Sequence, residues 1–226
     1  MNTGKPEAAK KLERQRKKKS LRQEQLINSA ENIFMANGYE NTTLEMIADE
    51  VGYTKRTLYR YFKDKEDIFS AVVLRARTIL LDMLKLSADC EETGFNKLLS
   101  MANAYREYFN EHPRYFEFTR IFETHVYYSH SPAKPKEVGP FAVKCDEVNN
   151  RILDLLKDVI ETGIDDETLK KVDVSSLNLV FILWGASFGM LQLICMRQNH
   201  PEDAYSTSGD ELYDDYIKLF SKIFEA

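Results

Sequence analysis

Lys55, Arg56, Thr57, Tyr59, Arg60 and Tyr61 gather cations and hydroxyls into seven consecutive positions, around a thin apolar anchor of Leu58 and Phe62. Such side chains suit phosphate oxygens and base edges. Lysine and arginine neutralise phosphate, hydroxyls hydrogen-bond it, and a guanidinium can grip guanine through two parallel bonds. Lys55, Arg56 and Thr57 fall in the first turn of the helix they would occupy, where base edges come within reach. Arg56 is the best placed for guanine, a contact that contributes roughly 1–3 kcal/mol of discrimination. Thr43, just upstream, offers a hydroxyl and a backbone N–H to phosphate at a helix start.

These side chains need a rigid support, and the flanking residues describe one. Thr42 and Glu45 have the spacing of a capping box, which opens a short helix. Ile47, Ala48 and Val51 give that helix one apolar face, and Gly52 ends it. Thr54 caps the next helix, with Tyr53 and Leu58 as its hydrophobic staple. A further helix opens at Asp64. Two helices, a glycine turn and a basic, hydroxyl-rich second helix suit entry into the major groove of DNA.

The segment from Asn37-Gly38-Tyr39 to Ile68-Phe69 resembles the DNA-binding region of TetR-type (tetracycline-repressor-like) regulators. The likeness rests on Ala30, Phe34, Gly38-Tyr39, Thr42-Thr43, Ile47-Ala48, Val51-Gly52, Thr57-Leu58-Tyr59, Tyr61-Phe62-Lys63 and Lys65-Glu66. It covers about residues 20–70. Glu45 departs from the pattern, since many members carry a basic or polar residue there. The resemblance implies phosphate contacts from Tyr59, Tyr61 and Lys65. The full candidate DNA-binding set is Thr42, Thr43, Lys55, Arg56, Thr57, Tyr59, Arg60, Tyr61 and Lys65.

Charge is distributed unevenly. Residues 1–22 hold nine Lys or Arg against two Glu, whereas residues 71–226 hold 17 basic against 25 acidic side chains, within a net charge of −5. Positive charge belongs with phosphate, and an acidic remainder discourages DNA from wrapping elsewhere. Cys90, Cys145 and Cys195 form no Cys-x-x-Cys pair and read as thiols of a reducing compartment. His112, His125 and His130 lack convincing ligand spacing, so no metal and no cofactor is expected. No segment is read as reaching the ~18 apolar residues of a membrane span. The N-terminus lacks the apolar core of a signal peptide. A cytoplasmic protein without membrane association is expected.

Apolar residues recur at three and four, few Gly and Pro interrupt them, and no hairpin signal is present, which predicts an all-α fold of about nine helices. Residues 1–19 form a basic arm or an extension of the first helix, residues 20–70 the helix-turn-helix DNA-binding domain, and residues 71–226 a helical effector-binding and dimerisation domain. The first helix is expected over Ser20–Asn37, with Leu26, Ile27, Ala30, Ile33 and Phe34 buried. The fourth, Asp64–Ser87, has no breaker and reads as a lever into the second domain. Helices follow over Phe95–Glu111 and Pro113–Tyr127, divided by His112-Pro113. Ser129–Pro140 is a loop, Phe141–Thr162 a helix stopped at Gly163, and Asp165–Val172 a short helical link. Ser175–Gln198 and Asp210–Phe224 complete the chain.

Aromatic residues crowd the second domain, and such walls suit a flat or greasy effector. Tyr105, Phe109, Phe116, Phe122, Tyr127, Trp184 and Phe188 are the candidate lining. Ser175–Gln198 is apolar on nearly all sides and carries Gly185 and Gly189, so it needs two partners. In proteins of the resembled family the last two helices usually pair with their copies. That implies a homodimer interface of Leu177, Gly185, Gly189, Leu212, Tyr216, Leu219 and Ile223. The leading expectation is a transcriptional regulator, most often a repressor, released from a palindromic operator by a small hydrophobic or planar effector. The alternatives are a ligand-independent architectural DNA binder, marked by the absence of a cavity, and an enzyme with a helix-turn-helix appendage. No catalytic constellation supports the last.

Overall fold

The computed structural model describes residues 4–127, 138–198 and 207–226. Most of the expected 129–140 loop, His130 and Pro201 lie outside these residues, as do the side chains of His125 and Tyr127. Among the described residues nine α-helices account for nearly all regular structure: α1 (Gly4–Asn41), α2 (Leu44–Glu50), α3 (Lys55–Leu58), α4 (Lys65–Asp89), α5 (Gly94–Glu111), α6 (Pro113–Ile121), α7 (Pro140–Asp165), α8 (Ser176–Gln198) and α9 (Gly209–Phe224). A π-helical turn, Phe122–Tyr127, extends α6. The all-α expectation holds. The basic arm is helical from Gly4 and continuous with α1, and the regular helix breaks at Gly38, whose φ of 77° lies in the left-handed region that glycine tolerates.

The chain forms two compact units. One comprises residues 1–75 and 117–145, the other residues 76–116 and 146–226. The division therefore is not the linear one expected: α6 after Phe116 and the start of α7 belong with the reader. In that first unit Phe34, Phe69 and Phe118 pack edge to face, with centroids 5.2 Å apart for Phe34–Phe69 and 5.5 Å for Phe69–Phe118. Edge-to-face geometry brings the positive ring edge onto a negative face. Asp67, buried, accepts from the backbone N–H groups of Lys63 (3.0 Å) and Phe141 (3.2 Å), which ties the end of the reader to the start of α7.

The second unit packs α5 against α8 and α9. Gly94 and Gly163 permit a backbone approach that no side chain would allow, since a Cβ on Gly94 would lie 2.1 Å from the Gly163 nitrogen. Gly163 thus serves close packing and does not stop α7, which continues to Asp165. The expected helical link over Asp165–Val172 is not helical. Glu167 turns the chain at φ 60°, and Leu169 bridges antiparallel to Glu225. Asp166 there accepts from Gly94 N (2.7 Å) and the Thr168 hydroxyl (2.5 Å), and the Thr168 bond, then the Gly94 bond, hold its carboxyl below the usual range. These bonds cap α5 from outside. Gly94→Ala is expected to destabilise the protein by about 1–3 kcal/mol, because backbone must move to admit the methyl. In thermal unfolding that appears as a melting temperature lower by several degrees, roughly 2–4 °C per kcal/mol.

Candidate functional site

Local hydrogen bonding builds the reader. The α2 N-cap is Thr43, whose Oγ1 accepts from Met46 N at 3.2 Å. The expected Thr42–Glu45 capping box does not form. Thr42 is buried and donates its hydroxyl to Gly38 O at 2.7 Å, closing the break after α1. A side chain so enclosed has no face for phosphate, which removes Thr42 from the contact surface. Gly52, at φ 67°, makes the turn, and Tyr53 N returns to Ala48 O at 2.8 Å. Thr54 caps α3, accepting from Thr57 N at 3.3 Å, as its position in the sequence predicts.

Leu58 and Phe62 are buried, while Thr43, Lys55, Arg56, Tyr59 and Arg60 are exposed and Thr57 and Tyr61 half-buried. The anchor points inward and the cations and hydroxyls point outward. Glu45, freed from capping, forms an exposed ion pair with Lys55. The hydrogen bond from Lys55 holds the Glu45 carboxyl below its usual range, and the same bond raises the Lys55 ammonium. A phosphate approaching Lys55 would compete with this carboxylate. Lys65 is half-buried, with Nζ 4.3 Å above the Tyr39 ring and donating to Glu40 O at 3.2 Å. Burial lowers its affinity for a proton, and two of its three N–H bonds remain to be used.

The second unit contains a cavity of about 60 Å³ lined by α4, α5, α7, α8 and α9. Of the expected lining, Tyr105 and Trp184 are present. The other walls are mainly aliphatic, including Leu80, Leu84, Leu98, Met101, Ile152 and Leu156. Phe109, Phe116 and Phe188 instead stack on one another, with centroids 5.0 Å apart for Phe109–Phe116 and 5.4 Å for Phe116–Phe188. Phe122 is fully buried in the unit that holds the reader. Tyr127 belongs to the same unit, and its side chain lies outside the described residues.

Sequence reasoning missed the polar feature of the cavity. Ser187 Oγ and Tyr216 Oη lie 2.8 Å apart in its wall. Tyr216 was assigned to the dimer face, but it points into the cavity. Burial raises its phenol above the ordinary value, so it stays neutral and offers hydrogen bonds without charge. No lining residue carries a formal charge.

On the outside of this unit Leu177, Phe181, Ile182, Leu193 and Met196 of α8 are exposed, as are Leu219 and Ile223 of α9. Gly185 and Gly189 are also exposed, and Leu212 is half-buried. The stretch Ser176–Arg197, with mean hydropathy 2.0, is long and apolar enough to cross a membrane by length and composition. That corrects the expectation that no segment reaches that length. The same helix packs with α5 and α9 and supplies Trp184 and Ser187 to the cavity.

Residues 26–72 match the family of bacterial regulatory proteins described as the tetR family. The chain is similar to the HTH-type transcriptional regulator TcmR of Streptomyces glaucescens, 37% identical over 93 residues. That match spans 41% of this chain and only 39% of TcmR. It is also similar to an uncharacterized HTH-type transcriptional regulator, YhgD, of Bacillus subtilis, 27% identical over 67% of this chain and 74% of that protein. Among solved structures, the transcriptional regulator FadR from Bacillus subtilis in complex with stearoyl-CoA superposes with a TM-score of 0.62 at 17% identity. The superposition covers 86% of this chain and 95% of FadR, a likeness of fold.

Proposed function

Because the chain belongs to the tetR family of bacterial regulatory proteins, we propose that it is a DNA-binding transcriptional regulator, most simply a repressor, that a small effector releases from a palindromic operator. The observation that carries this reading is the exposed row of Lys55, Arg56, Tyr59 and Arg60 on a helix held from beneath by Leu58 and Phe62. The relatives named above are regulators, so the enzymatic alternative is set aside. An architectural binder has no use for an internal cavity, and the cavity in the second unit favours the ligand-responsive reading.

The effector is an uncharged hydrophobic compound with one hydrogen-bonding group. Apolar walls take its body, the Ser187–Tyr216 hydroxyls take its polar end, and burying a charge there without a counter-ion would be costly. Ligand sites for drug-sized molecules occupy about 300–1,000 Å³. A cavity of about 60 Å³ must therefore widen to receive one. Leu80 and Leu84 line it from α4, the helix whose first turns carry Lys65, Ile68 and Phe69 of the reader. Widening that shifts α4 would move the reader.

The functional protein is a homodimer in the cytoplasm, paired through α8 and α9. One short recognition helix reads only a half-site, so useful specificity needs two readers about 34–36 Å apart, or a multiple of that. The exposed apolar residues of α8 and α9 are better suited to a second copy than to lipid, since the opposite side of α8 is engaged by the cavity and α9 is strongly amphipathic.

Arg56→Ala tests the DNA reading. Titrated against an operator selected from a random duplex library, the variant should lose about 1–3 kcal/mol of preference for that operator, with much less change for unrelated duplex. Arg56→Ala and Tyr59→Ala both binding the operator as tightly as wild type would show that α3 is not the reader.

A further inference from the structure

We infer that the face of α1 beside the end of the reader is a second DNA-binding surface, a cleft for backbone phosphates flanking the bases that α3 reads. The inference rests on the DNA-binding function proposed above. Gln15, Lys18, Lys19 and Arg22 of α1 line a polar cleft of about 340 Å³ with Arg60 and Tyr61, which follow α3. Their spacing puts all four α1 residues on one side of the helix. One turn further on, the same side carries Leu26, which is fully buried. The face of α1 that forms the core of the reader therefore continues, before that core begins, as a cationic face.

Gln23 fixes this arrangement by donating from Nε2 to Tyr61 O at 3.4 Å. Lys18, Lys19, Arg22 and Arg60 are exposed, and no acidic side chain lines the cleft. The acids one and three turns along α1, Glu24 and Glu31, are engaged by Arg75, which also donates to Asn28 at 2.8 Å. Four cations around one cleft repel one another, and an anion relieves that repulsion. Duplex DNA is the anion that fits, because Arg60 and Tyr61 belong both to the cleft and to the segment that carries the base-reading residues. Phosphate contacts of this kind add affinity and fix register without reading sequence.

The test is a triple variant, Lys18→Ala, Lys19→Ala, Arg22→Ala, compared with wild type and with Arg56→Ala in anisotropy titrations of operator and unrelated duplex between about 50 and 200 mM salt. Each phosphate contact contributes about 0.9 to the slope of log affinity against log salt. The triple variant should therefore lose about 2–3 from the slope on both duplexes, with their affinity ratio unchanged. Ethylation interference should show phosphates needed by wild type that no longer matter to the variant. Alanine favours helix and the three side chains are exposed, so the thermal melt should match wild type.

A wild-type slope and wild-type affinity in the triple variant would overturn the cleft while leaving the reader intact, provided that Arg56→Ala still relaxes specificity. Loss of the operator preference instead of the slope would assign these residues to base reading and also overturn it. If wild type binds neither duplex, the DNA reading fails and the cleft fails with it.

Discussion

Gly185→Leu should convert the protein from dimer to monomer and lower its operator affinity by roughly 10²–10⁴-fold, the range over which joining two binding modules adds avidity. The expectation comes from what surrounds this glycine. Gly185 and Gly189 lie exposed on α8, and a Cβ built on either meets no atom of the chain within 4 Å. Leucine at that position strains nothing within one subunit and even favours the helix, by up to about 1 kcal/mol relative to glycine. Only a second copy packed against the small residues would meet it. Phe181 and Ile182 of α8 are 55% and 54% exposed, and Leu219 of α9 60%, an apolar area that a solitary subunit would leave in water. Light scattering at micromolar concentration gives the mass, and anisotropy gives the operator affinity. A retained dimer mass with unchanged affinity would remove α8 from the interface, and wild type sedimenting with membrane vesicles would assign its apolar face to lipid.

The reader was legible because its signals are local. Thr54, Gly52 and the Tyr53–Leu58 pair act within one turn of where they stand, and each lies where the sequence places it. The first cap was displaced by one residue because Thr42 and Thr43 are equally good capping types. What distinguishes them is the Gly38 carbonyl, which captures the Thr42 hydroxyl and leaves Thr43 to cap α2. The cavity was less legible, because aromatic content does not say which unit a ring belongs to. Phe118 and Phe122 are core of the reader unit, and Phe109, Phe116 and Phe188 satisfy one another. Aliphatic residues from five helices make most of the cavity, and nothing in their one-helix periodicity distinguishes a cavity wall from filled core. Gly163 shows the same limit: its role depends on Gly94, nearly seventy positions away in the sequence.

Ala102→Leu should abolish the response of operator binding to effector while raising the stability of the unliganded protein. Ala102 lines the cavity from α5, opposite residues contributed by α8 and α9, so three added carbons project into space that is now empty. Filling such a space commonly adds about 0.5–2 kcal/mol. The same filling removes the room that a ligand must enlarge, and with it the differential affinity through which a ligand shifts conformation. In wild type the coupling should be about 1–3 kcal/mol, or a 5–150-fold loss of operator affinity on saturation. The probes follow from the lining, which has two neutral hydroxyls and no charge: decanol against decanoate for an alkyl body, naphthol against naphthoate for a planar one. The alcohols should raise the melting temperature of wild type and weaken its hold on operator, whereas the carboxylates should do neither. Binding at one hundred times the dissociation constant contributes about 2.7 kcal/mol to stability, enough to read in a thermal scan. Ala102→Leu should melt higher than wild type without ligand, gain nothing from the alcohols and stay on operator in their presence. If it remained fully inducible, the effector would bind elsewhere. If the carboxylates proved as effective as the alcohols, the recognition assigned to Ser187 and Tyr216 would be wrong.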